Sequence, residues 1–167
     1  YAIYGFVRLA DEIVDSFHEF DKTYLLDNLN KDLLYALDNG ISANAVILSF
    51  ADSVKKFSID REHIFAFMNS MKNDLTKKDY TNKQELDKYI YGSADVVGLM
   101  CLKVFCNADQ NLYSKLESKA QSLGSAFQKV NFLRDLKNDK LSLGRNYFPE
   151  ISNGVFDRNS KKLIEQN

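Results

Sequence analysis

The sequence predicts an all-α fold, and two observations carry that expectation. A single proline, Pro149, and seven glycines stand in 167 residues, so little interrupts a helix before residue 140. Apolar residues recur at three- and four-residue spacing, and no stretch keeps the period of two that a half-buried strand requires. There are no internal repeats and no low-complexity tracts.

Six helices are expected. The first covers residues 1–19, where Ile3, Phe6, Val7, Ala10, Ile13, Val14 and Phe17 form one apolar stripe. Asp21 is placed to cap a second helix over 22–38, which Asn39-Gly40 would stop. A third helix spans 42–57. Asp60 is placed to cap a fourth over 61–75, and polar residues 76–80 follow. Thr81 with Gln84 three residues later has the form of a capping box, opening a fifth helix that reaches Phe105. Asp109 or Asn111 opens the sixth, which runs to Leu136. Residues 142–154, with Gly144, Pro149 and Gly154, read as a loop.

The length suits one domain, large enough to bury a core without disulfides. Twenty-two basic against 23 acidic side chains leave a net charge of −1, so no broad basic surface for nucleic acid is expected. Cys101 and Cys106 match no metal-ligand spacing and read as buried, reduced thiols of a cytoplasmic protein. No run approaches the ~20 apolar residues of a membrane span, which leaves room only for peripheral contact with a membrane surface. Nothing in the sequence fixes an oligomeric state.

Two constellations carry chemistry. Asp11 and Asp15 stand four apart on the first helix, so both carboxylates share a face. Like charges at that spacing repel unless a cation lies between them, and hard oxygen ligands suit magnesium, which completes its shell with water and phosphate. Arg8, one turn earlier, could grip a phosphate oxygen. The alternative is a solvated acidic face salt-bridged to Arg8. The second constellation lies on the sixth helix, where Gln128, Asn131, Asp135 and Asp139 form one polar stripe, beside Arg134 and the apolar Phe127, Val130, Leu133 and Leu136. A solvated face is again the alternative, although amides and paired aspartates are not its usual chemistry. Small residues inside helices, at 92–94 and Gly98 and again at 124–126, imply a close approach by another helix or by a long ligand. Gly144-Arg145-Asn146-Tyr147-Phe148-Pro149 adds one cation and one phenol.

These segments together resemble the squalene/phytoene synthases. Residues 1–15 look like that family's first aspartate-rich helix. Tyr89-Ile90-Tyr91-Gly92-Ser93-Ala94-Asp95-Val96-Val97-Gly98 resembles its Tyr-x-Tyr…Val-Gly segment, and 123–149 its second aspartate-rich stretch. Asp95 departs from the glycine or small residue of many members, Ser125 from a small aliphatic one, and Asn138 from a common acid. Full-length members extend further at both ends, so residues 1–167 are expected to be one isoprenoid synthase domain truncated at both ends.

The resemblance implies a helical bundle around a central apolar cavity, and an enzyme that joins two isoprenoid diphosphates. Asp11, Asp15, Asp135 and Asp139, with Asn131, would hold magnesium, or manganese in its place. Arg8, Arg134 and Arg145 would stabilise the leaving diphosphate, and Gln128 and Asn131 would bind its oxygens or metal-bound water. Tyr4, Tyr91 and Tyr147 would orient diphosphate or stabilise a cation, with Tyr91 counted among the catalytic groups and Gly98 in the substrate wall. Two geranylgeranyl diphosphates giving phytoene are favoured over two farnesyl diphosphates giving squalene or dehydrosqualene. The rival outside catalysis is a helical assembly factor on the same fold.

Overall fold

The structure, a computed structural model, describes residues 1–138 and Tyr147. Asp139, Arg145 and the expected loop apart from Tyr147 lie outside the described residues. Among the described residues seven α-helices follow in order: α1 (Ala2–Ser16), α2 (Lys22–Asn39), α3 (Ala45–Phe57), α4 (Arg61–Asp74), α5 (Lys83–Ile90), α6 (Val96–Phe105) and α7 (Gln110–Asn138). A π-helical turn, Tyr91–Asp95, joins α5 to α6. Among the described residues there is no strand.

Local capping chemistry sets most of the boundaries. Asp21 accepts from the Tyr24 amide at 2.9 Å, and Gly40 closes α2 in the left-handed region at φ 71°, its amide bonded to the Ala36 carbonyl. The third helix starts later than expected, because Asn44 accepts from the amides of Val46 and Ile47. Asp60 stands at the start of α4 without capping it; its carboxylate pairs with Lys103 at 3.1 Å instead. The expected Thr81–Gln84 box is displaced by one residue: Asn82 caps the Glu85 amide, and Glu85 reaches back to the Thr81 amide. Asp109 caps α7 through the amides of Asn111 and Leu112.

The main core lies where α1 packs against α2, α3, α4 and α6. Phe6, fully buried, stacks on Phe50 with ring centroids 4.1 Å apart and meets Phe67 edge-on at 5.5 Å. Ala10, Ile13 and Val14 continue the stripe, while Val7 and Phe17 are only partly buried at its edge. A second cluster stacks Tyr80, Tyr89, Phe132 and Tyr147, and a third packs Leu99, Leu102 and Cys106 of the α6 side on Tyr113 of α7. Both cysteines are free, Cys106 buried and Cys101 half-buried.

The expected fifth helix does not run unbroken, because its register is widened where the Val96 amide bonds to the Tyr91 carbonyl, five residues back. Around this turn the small residues do what their mid-helix positions suggested. A Cβ at Gly92 would meet Ser70 Oγ at 2.0 Å and the Ala66 carbonyl oxygen at 2.8 Å. One added at Gly124 would stand 3.0 Å from the Ala94 carbonyl oxygen. The close partners are therefore other helices: α4 on one side of the turn and α7 on the other. Gly92→Ala should destabilise the fold by about 1–3 kcal/mol, the cost of overpacking against a backbone that cannot yield. A thermal melt that matched wild type would contradict this packing.

Candidate active site

Helical periodicity gathers one set of polar side chains around a cavity of about 780 Å³. From α1 come Tyr4, Arg8, Asp11 and Asp15, spaced i, i+4, i+7 and i+11 on one face. From α7 come Gln128, Asn131 and Asp135, spaced i, i+3 and i+7, with Phe132 and Arg134. Asp74 of α4, Tyr89 of α5, Ser93 of the π turn and Tyr147 complete the polar lining. The aspartates of α1 and Asp135 of α7 thus face one space, although they are more than a hundred residues apart in sequence.

A second cavity of about 550 Å³ adjoins it, lined by Val97, Gly98, Leu102, Leu123, Gly124 and Phe127 among others. Val7, Ser93 and Gln128 line both cavities, so the polar chamber and the apolar one share a wall. Phe127, Val130 and Leu133 are exposed, at 63%, 59% and 48%. The buried aromatic of this stretch is Phe132, which stacks on Tyr147 at 4.2 Å.

Charge in the polar cavity is unbalanced. The described lining holds four carboxylates (Asp11, Asp15, Asp74, Asp135) against two guanidiniums, Arg8 and Arg134. Both cations are already engaged. Arg8 bonds Asp11 at 2.8 Å and also pairs with Glu12, and Arg134 grips both oxygens of Asp135, at 2.8 and 2.6 Å. The salt-bridged acidic face expected as the alternative on α1 is therefore present, yet it does not neutralise the site. Burial, then the charge of Asp15, pushes the Asp11 carboxyl above its ordinary pKa despite Arg8. The hydrogen bond from Arg134 holds Asp135 below its own. Tyr89 donates to Asp74 at 2.9 Å, and burial, with that neighbouring charge, pushes its phenol well up.

Among the described residues no group of three or more His, Cys, Asp or Glu side chains is placed to hold a metal ion alone. The donor chemistry nevertheless fits one that brings its own oxygens. Asp11 and Asp15 are hard ligands whose mutual repulsion a divalent cation would relieve, and such ions complete their shells with water and phosphate. An anionic ligand entering so acidic a cavity needs that charge.

Not every sequence expectation converges here. Tyr91 lies two residues from Tyr89, about 200° around a helix. It does not line this cavity but a second groove with Asn69, Lys77 and Lys88, which Tyr89 reaches as well. Gly98 lines the apolar cavity, where its missing Cβ lets the Ala120 carbonyl approach; a Cβ there would stand 3.1 Å from that oxygen. Asp139 and Arg145 lie outside the described residues. Asp74 escapes sequence reasoning, because its position at the end of α4 carries no motif. Tyr89 and Ser93 escape it as individual site residues, since the Tyr-x-Tyr segment marks them only as parts of a pattern.

The all-helical bundle is that of the isoprenoid synthase fold. The Squalene/phytoene synthase family model matches residues 1–152, and the chain belongs to that family. It is 33% identical over 153 residues to the chloroplastic phytoene synthase 1 of Zea mays, covering 90% of this chain and 37% of that protein. It is 30% identical over 176 residues to the phytoene synthase of Arthrospira platensis, covering 98% and 56%. The squalene synthase HpnC of Alicyclobacillus acidocaldarius superposes with a TM-score of 0.76 at 25% identity, over 89% of this chain and 54% of that one. The chain thus spans roughly a third to a half of the length of these relatives. No described helix is long and apolar enough to cross a membrane.

The raised Asp11 gives a prediction with a definite sign. Its folded-state pKa lies above its unfolded value, so ionised Asp11 costs stability; the cost is absent below about pH 3.9 and full once pH exceeds the folded value. Asp11→Asn should therefore raise the melting temperature at neutral pH, with the gain fading as pH falls towards 4. A gain that persisted at pH 3, or a loss at pH 7, would contradict a cost set by burial and by Asp15.

Proposed function

We propose that the protein is a magnesium-dependent prenyltransferase that condenses two geranylgeranyl diphosphates head-to-head to phytoene and releases diphosphate. The observation that carries this reading is the shared wall between an acidic polar cavity and an apolar one, which suits an amphiphile with a diphosphate head and a hydrocarbon tail. The relatives at about 30% identity are named phytoene synthases. One solved neighbour is a squalene synthase, and the second reading therefore takes farnesyl diphosphate as substrate.

Asp11, Asp15, Asn131 and Asp135, joined by Asp139, would hold magnesium or manganese, which supplies the positive charge that a departing diphosphate needs. Arg8 and Arg134 add fixed cations to the same cavity, and the amides of Gln128 and Asn131 can donate to diphosphate oxygens. Tyr4 and Tyr147 bring phenols to the head-group end, and Arg145 would act there as a further cation. As the carbon–oxygen bond of one allylic diphosphate breaks, its electron pair leaves with the diphosphate. The double bond of the second chain supplies the pair for the new carbon–carbon bond, loss of a proton discharges the cation so formed, and departure of the second chain's own diphosphate with loss of a further proton gives the neutral hydrocarbon. Leu102 and the partly buried apolar residues of the second cavity would keep water from the cation in the interval, while Leu123 and Phe127 line the same cavity from an exposed face. Tyr91, which faces another groove, is not assigned a part in these steps.

The test is product analysis by mass spectrometry after supplying full-length protein with magnesium and either diphosphate. A C40 product from geranylgeranyl diphosphate is expected; a C30 product from farnesyl diphosphate alone would establish the second reading. Asp15→Asn should lower turnover by about 100-fold or more, with the melting temperature unchanged or raised. Activity that merely tracked the folded fraction would make Asp15 structural.

A further inference from the structure

One buried ionisable side chain has no part in this chemistry. Asp95, the last residue of the π turn, is 4% exposed, and Ser125 of α7 donates its hydroxyl to Asp95 Oδ1 at 2.7 Å. The backbones around this bond are in contact. A Cβ at Gly124 would stand 3.0 Å from Asp95 Cα, and one at Gly98 would stand 3.1 Å from the Ala120 carbonyl oxygen.

A crossing lined by glycine fixes how near two helices come, but it leaves their register loosely specified, because smooth surfaces slide. A buried carboxylate removes that freedom. Leaving it without a donor costs far more than a neutral contact is worth. Moving α7 by one residue shifts it about 1.5 Å along its axis and turns it about 100°, which would take Ser125 away from Asp95. Gln128 lies three residues further along α7, Asn131 six and Asp135 ten. All four positions belong to one unbroken helix, so the register set at Ser125 is transmitted to each of them. On the other side of the bond, Ser93 and Ala94 of the same π turn line the cavities.

We infer that Asp95 and Ser125 form a positioning pair, which sets the register of α7 against the π turn and so places Gln128, Asn131 and Asp135 opposite Asp11 and Asp15. This rests on the diphosphate-binding role proposed above. The pair touches no reacting atom; it acts through α7.

A merely structural bond and a positioning bond differ when both partners are removed. Ser125→Ala strands a buried carboxylate, so it should lower the melting temperature. It should also weaken the affinity for inorganic diphosphate in magnesium by about 10- to 100-fold, the range typical of residues that orient ligand-bearing groups. Asp95→Ala/Ser125→Ala removes the stranded charge and should recover most of the melting temperature, while diphosphate affinity stays weak. Asp95→Asn keeps an acceptor oxygen and should keep the affinity near wild type. Thermal melts without ligand and calorimetry with diphosphate, both on the full-length protein, read the two effects separately. Affinity that recovered in the double variant together with stability would overturn the inference, as would wild-type affinity in Ser125→Ala. If Ser125→Ala does not fold, the double variant decides alone. Failure of the wild-type protein itself to bind diphosphate would instead overturn the site reading beneath it.

Discussion

The gathering of carboxylates into one partly buried cavity is the constraint on which the rest of this structure depends. Four aspartates from α1, α4 and α7 line a single space with only two guanidiniums among the described residues, and both guanidiniums are already paired. At Asp11 the cost shows directly: burial, then the neighbouring charge of Asp15, raises its pKa. Such an arrangement persists because well-packed surroundings hold it, and the proposed entry of a cation together with an anionic ligand would make it favourable. The apolar core behind α1 supplies that support: Phe6, Ala10 and Ile13 are buried on one side of the helix whose other side carries Arg8, Asp11 and Asp15.

The second support is the stretch that passes from α5 through the π turn into α6. Its small residues let α4 and α7 close on it from both sides, with Gly92 against Ser70 and Gly124 against Asp95. A widened turn also changes the facing of the residues around it. Tyr89 turns towards Asp74 and the polar cavity, Ser93 sits on the wall between the two cavities, and Tyr91 faces a different groove. α7 is thereby held near α1 through the π turn and α6. The same elements thus serve as scaffold and as cavity lining.

Much of this is legible in the sequence because it depends on helical periodicity. The stripe from Ile3 to Val14 identifies the buried face of α1, and the i,i+4 spacing of Asp11 and Asp15 places both on the other face. The caps at Asp21 and Asp109 and the stop at Gly40 are equally local, and each is found where its side chain or φ angle demands. What local pattern cannot give is choice among competing partners. Asp60 looks like a cap, but a buried lysine forty-three residues away takes its carboxylate. The π turn has no sequence signature that separates it from a continuous helix, so the fifth helix reads as unbroken to Phe105. Asp74 bears no motif and becomes visible only through the tertiary contact with Tyr89. The helix-to-helix approach at Gly92 and Gly124 is one of two alternatives left open by the sequence, and the neighbours in space decide it.

Whether α1 and α7 act on one shared ligand, rather than as two separate acidic faces, is tested most directly by a double-mutant cycle. Asp11→Asn, Asp135→Asn and the double variant would each be titrated calorimetrically with inorganic diphosphate in magnesium, on the full-length protein. If both carboxylates serve one cluster, the losses of binding free energy will be non-additive by at least about 0.5 kcal/mol, beyond the range expected of independent sites. Strictly additive losses, or a loss confined to one helix, would contradict a common site.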